Sequence, residues 1–118
     1  MTFEIQMRQS TTYEILDEST RVQNEVFNLV TAGTDAHQVS NEARAANDEI
    51  IQSDFTYGEV YFQHFIPMLA FVKPQPGEVF WDLGCGAGRP VITASLAYPE
   101  LIACKGIEFL EPLTDLAR

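Results

Sequence analysis

The stretch VFWDLGCGAGRP, residues 79–90, constrains this chain more than any other. An apolar, strand-like run ends at Asp82 and Leu83, and glycine then recurs at 84, 86 and 88. Glycine costs backbone entropy at a strand end or a helix start, so three at alternate positions need a reason. A tight turn is one. A ligand that must approach the backbone more closely than any side chain allows is the other. The spacing, DxGxGxG, departs from the dinucleotide fingerprint GxGxxG, because Arg89 stands where glycine or alanine is required. That disfavours a nicotinamide or flavin site. It favours a small ligand at the carboxyl edge of an open α/β sheet, the usual place for one in such folds.

The flanking sequence supports that class. VFWDLG reads as a buried strand over 79–83, and RPVITASLAY as a helix with Pro90 in its first turn. IACKGIEF supplies a second strand over 103–108, and EPLTDLAR opens another helix. Strand, helix, strand, helix implies a right-handed βαβ unit with parallel strands. Upstream the pattern is helical. Residues 12–32 carry Ile15, Val22, Val26, Leu29 and Val30 at helical spacing and stop near Gly33. Ser40 is placed to cap a second helix running to about Ser53, with Ala43, Ala46, Ile50 and Ile51 along one face. A third helix over Val60–Val72 turns Phe62, Phe65, Ile66 and Leu69 inward, with Pro67 inside it, and KPQPGE breaks the chain after it. The expected organisation is a helical region over 1–54 followed by an α/β region over 55–118. A parallel sheet covered on both faces takes about five or more strands, so the two seen here read as the start of a larger domain, truncated.

Composition narrows the classes of function. Hydrophobic residues make up 46% of the 118, enough for a folded core. No apolar run approaches the roughly 20 residues of a membrane span, and the N-terminus lacks the pattern of a secretory signal. The expectation is a cytosolic or nuclear protein without a membrane role. The net charge of −10, from 17 acidic and 7 basic residues, repels phosphate backbones and argues against direct nucleic-acid binding by this segment. Cys85 and Cys104 lack CxxC spacing and histidine neighbours; they read as small buried thiols, and no metal site is expected. His37 and His64 stand apart from any acid–base constellation.

Two carboxylates complete the glycine stretch. Asp82 and Glu108 end successive parallel strands, so both emerge at one sheet edge. A carboxylate after the second strand suits bidentate hydrogen bonds to a ribose diol, and one beside the glycine loop suits an ammonium group. A nucleoside carrying an amino acid, S-adenosylmethionine, meets both. The plainer alternatives make Asp82 a loop-bracing cap and Glu108 a solvated strand end.

VFWDLGCGAGRPVITASL followed by GIEF resembles motif I and the acid after it in class I S-adenosylmethionine-dependent methyltransferases, whose sheet is Rossmann-like. FTYGEVYFQHFIPML is similar to the loop and helix that precede the cofactor site in the disruptor-of-telomeric-silencing (DOT) family of nucleosomal histone-lysine methyltransferases. The resemblance implies a histone-lysine N-methyltransferase of the nucleus, present as a partial catalytic domain inactive by itself. A class I methyltransferase acting on a small molecule, RNA or another protein, or a non-catalytic cofactor-binding fragment, is the alternative. It also implies that Asp82, Gly84, Gly86, Gly88 and Arg89 line the cofactor, that Glu108 holds its ribose, and that Tyr57, Gly58 and Glu59 close over it. Tyr57 lines the methyl path as the candidate catalytic residue. Val60 and Arg89 depart from the family, which tends to have threonine and glutamine there. Arg89 is placed either to pair with the cofactor's carboxylate or to cap the loop.

Overall fold

The computed structural model describes residues 18–33, 35–46 and 57–118. Among these residues five helices and two strands follow in the order α1 (Glu18–Thr31), α2 (Ala36–Ala45), α3 (Phe62–Val72), β1 (Val79–Leu83), α4 (Arg89–Ala97), β2 (Ala103–Ile107) and α5 (Glu111–Leu116). The class is mixed α/β, with a small parallel sheet after the helices. β1 and β2 pair in parallel with Val79 opposite Ala103 and Leu83 opposite Ile107, as the βαβ reading requires. The ladder is continued outside the strands by Gly77 N–H to Glu100 O at 3.0 Å and Ile102 N–H to Glu78 O at 2.9 Å.

Strand side chains alternate between two faces. Phe80 and Asp82 are half-buried, and the Phe65 ring of α3 meets the Phe80 ring edge-on at 6.2 Å. Helix α4 packs on both strands. The opposite face carries Val79, Trp81, Leu83 and Ile107, all exposed among the described residues, with the Lys105 ammonium 5.1 Å from the Trp81 ring. Among the described residues the helices cover one face of the sheet.

The helical region shares its core with the glycine-bearing part of the chain. Phe27 of α1, 1% exposed, meets the Phe62 ring of α3 at 5.5 Å, and α1 also packs on α4. Ala36 of α2 forms a buried cluster with Leu110 and Leu113 at α5, against which Val39, Ala43, Tyr57 and Ala87 pack. Burying a side chain of Phe27's size contributes roughly 1.5–3 kcal/mol.

Several expectations need correction. In α1 the buried residue is Phe27, whereas Val22, Val26, Leu29 and Val30 are exposed: the apolar stripe at helical spacing is not the face that packs. Helix α2 begins at Ala36, because the Asp35 carboxylate accepts the Gln38 N–H at 3.0 Å and caps it there. Ser40 is therefore a fully buried mid-helix residue and not the cap. The expected segments 12–17 and 47–53 lie outside the described residues. Helix α3 starts at Phe62, two residues later than expected, and buries Phe62 and Leu69 while half-burying Phe65 and Ile66. Pro67 is accommodated inside it, and Lys73 ends it at a φ of 57°, donating its N–H to Leu69 O. Both cysteines are half-buried free thiols instead of fully buried ones.

Candidate functional site

The glycine loop leaves β1 and enters α4 by left-handed turns. Gly84, Gly86 and Gly88 have φ values of 82°, 54° and 82°, a region that costs a residue with a side chain about 1–2 kcal/mol. The loop is tied to the end of β2: Gly84 and Cys85 donate to Ile107 O at 2.7 and 3.0 Å. Gly88 caps α4 through its carbonyl, which accepts the Ile92 N–H at 2.9 Å.

Gly86 has a second constraint. A Cβ at this position would lie 2.5 Å from Cε2 of Tyr57, so the absence of a side chain lets the tyrosine ring rest on the loop. The Tyr57 hydroxyl donates to Glu59 Oε1 at 3.1 Å, and His37 meets the ring edge-on at 4.9 Å. Glu59 in turn forms an ion pair with Arg89, its Oε1 lying 3.2 Å from Arg89 Nε. Residues far apart in sequence thus meet around one turn of backbone. Gly58 is exposed at the turn between them.

Glu108 approaches the same loop from β2. Its Oε2 accepts the Gly86 N–H and its Oε1 the Leu110 N–H, both at 2.8 Å. Charge-assisted bonds to backbone N–H groups are among the stronger ones in proteins, so this carboxylate pins the glycine loop to the β2–α5 connection. Burial and then the nearby Glu108 charge raise the Asp82 carboxyl above its ordinary value, which places the two acids within electrostatic reach. Burial and the charges of Asp82 and Glu108 raise Cys85 too, keeping it a thiol and a poor nucleophile. Tyr57 is pushed up to about 12, first by burial and then by Glu59, so its hydroxyl remains protonated at neutral pH.

Clefts border the loop on two sides. One of about 360 Å³ is lined by Glu59, Ala87 and Arg89 together with α1 and the end of the chain. Another of about 250 Å³ is lined by Cys85, Gly88, Gly106, Glu108 and Thr114. Among the described residues no three of His, Cys, Asp and Glu gather as a metal site. No described helix is long and apolar enough to cross a membrane.

The structure brings together Tyr57, Glu59, Gly86, Arg89 and Glu108, with Asp82 beside them. A family model described as "Histone methylation protein DOT1" matches residues 36–118, well over half of the chain. The chain belongs to the DOT1 histone methylation protein family. No curated protein and no solved structure gives a significant match. The match begins at Ala36, the first residue of α2 and part of the buried cluster under Tyr57. DOT1 membership thus spans the YGE loop, the glycine loop and Glu108 in one stretch.

Three contributors were not legible as site residues. Phe27 lies 5.6 Å beneath the Arg89 guanidinium, and His37 braces Tyr57. Gly106 admits Cys85: a Cβ there would collide with its sulfur. A glycine inside an apolar strand was the available signal for the last of these.

Proposed function

We propose that this chain carries the cofactor-binding part of an S-adenosylmethionine-dependent histone-lysine N-methyltransferase, on a Rossmann-like class I methyltransferase sheet. Helices α1 and α2, within residues 1–54, precede it, and residues 55–118 carry the glycine loop and both described strands. The acceptor is a lysine of the nucleosome core, and the site of action is the nucleus. The observation that carries the reading is the seating of Tyr57 on Gly86, with Glu59 held at Arg89: the YGE loop forms a wall of the glycine-loop site.

The donor set suits this cofactor. Nothing lies within 4 Å of a Cβ built at Gly84, so the loop backbone is open to close approach there. Each Glu108 oxygen accepts one backbone N–H and keeps a second lone pair, which a ribose hydroxyl can use. Asp82, next to the loop, supplies negative charge for an ammonium group. We assign cofactor contacts to Tyr57, Gly58, Glu59, Asp82, Gly84, Gly86, Gly88 and Glu108, with Arg89 at the wall.

The cofactor supplies an electrophilic methyl group on a sulfonium, so the protein's part is orientation, exclusion of water and electrostatics. Tyr57 fits that part. Its hydroxyl stays protonated up to about pH 12, so it acts as a donor and a wall, and the acceptor amine's proton goes elsewhere. Replacing the chromosomal gene with an Asp82→Asn, Glu108→Gln allele tests the assignment. Methylation of one core-histone lysine should disappear from a mass-spectrometric survey of chromatin. Intact histone methylation with loss of an RNA or small-molecule methylation would contradict it.

A further inference from the structure

Arg89 sits where two roles compete: binding the carboxylate of the cofactor's amino-acid end, or holding the loop that faces it. The structure shows what its guanidinium already does. Nε pairs with Glu59 Oε1 at 3.2 Å, and the two side chains are only 17% and 15% exposed. One face of the guanidinium lies over the Phe27 ring, 5.6 Å from its centroid. That ring is buried and itself packed on Phe62, so the arginine has a rigid floor. Glu59 Oε1 also accepts the Tyr57 hydroxyl, so one carboxylate oxygen joins the arginine to the tyrosine that rests on Gly86.

Withdrawing Arg89 to serve a ligand would strip a mostly buried carboxylate of its counter-ion. Losing one partner of such a pair is strongly destabilising, because the other is left uncompensated. It would also lift the guanidinium off Phe27. Neither cost arises if the arginine stays in place.

Resting on the methyltransferase reading above, we propose that Arg89 is a positioning residue. It latches the Tyr57–Gly58–Glu59 loop to the start of α4 through Glu59, with α1 as its support, and does not bind the cofactor's carboxylate. Helix α1, outside the matched family region, thereby acts on the site through Phe27.

The latch is tested first without any cofactor, by hydrogen exchange of the backbone amides of residues 57–61. Arg89→Gln and Glu59→Gln should each speed exchange there by roughly tenfold, the double variant no further, and Arg89→Lys should restore most of the protection. Unchanged exchange in Arg89→Gln overturns the proposal. Titration with S-adenosylhomocysteine supplies the second arm. Arg89→Gln should weaken binding roughly tenfold in the native background and leave it unchanged in a Glu59→Gln background. An equal loss in both backgrounds means direct contact with the ligand and overturns the proposal. A native protein that binds no S-adenosyl ligand refutes the methyltransferase reading, and the exchange arm still decides the latch. Lysine carries the same charge on a narrower head, so its rescue separates the ion pair from general damage to the fold.

Discussion

Adding one methyl group to Gly86 should damage this protein more than adding one to Gly84. Both glycines are in the left-handed region, at φ values of 54° and 82°. Placing alanine there costs about 1–2 kcal/mol, partly offset by a stiffer unfolded chain. At Gly84 that is the whole effect, since nothing lies within 4 Å of the new Cβ. At Gly86 the Cβ would stand 2.5 Å from Tyr57 Cε2, where carbon atoms rest at about 3.5–4.0 Å. The ring must retreat by about 1 Å, yet it is held by its bond to Glu59 and by His37 at its edge. Overpacking of this kind adds about 1–3 kcal/mol, so Gly86→Ala should lose about 2–4 kcal/mol against about 1 kcal/mol for Gly84→Ala. Urea unfolding followed by circular dichroism measures both at constant slope. Adding Tyr57→Ala to each variant should remove the difference, because the clash partner is gone. Equal losses for Gly84→Ala and Gly86→Ala would refute the placement of Tyr57 on the loop.

Asp82→Asn should separate stability from binding. The folded protein holds the Asp82 proton more tightly than the unfolded chain, so this group favours folding at acid pH and opposes it once pH exceeds the raised value. The asparagine variant should therefore melt no lower than the native protein at pH 7 in a thermal scan, while binding S-adenosylhomocysteine at least tenfold more weakly by calorimetry. A spectrophotometric titration should show a tyrosinate component near pH 12 that Tyr57→Phe abolishes. The stability contributed by that protonated hydroxyl is full below pH 10 and is lost as pH rises toward 12. The chain alone, incubated with methyl-labelled S-adenosylmethionine and nucleosomes, should transfer no label above a blank. Robust transfer would overturn the reading of residues 55–118 as a cofactor-binding part that does not transfer a methyl group by itself.

The α/β part was legible because its signals are local. Two short apolar runs separated by a helix-length segment specify parallel strands, and three alternating glycines mark a tight turn between the first strand and the helix. The helical region was harder to read, because periodicity marks a stripe and not the partner that covers it. In α1 the stripe of Val22, Val26, Leu29 and Val30 points outward, and packing is done by Phe27, which lies off it. Ser40 was the better cap by residue type at the expected start, but Asp35 caps the helix five residues earlier. At the site, the acids and glycines were readable as types at strand ends. Their bonds were not. That Glu108 spends both oxygens on backbone N–H groups, and that Arg89 meets Glu59, depend on contacts between segments distant in sequence.

Photo-crosslinking with methyl-labelled S-adenosylmethionine, followed by peptide mapping, tests most directly the claim that the cofactor sits on the glycine loop under the YGE wall. The expected adducts fall within residues 57–59 and 82–89 or at Glu108, and S-adenosylhomocysteine competes them away. Adducts confined to other segments, or none that the competitor removes, would contradict the account.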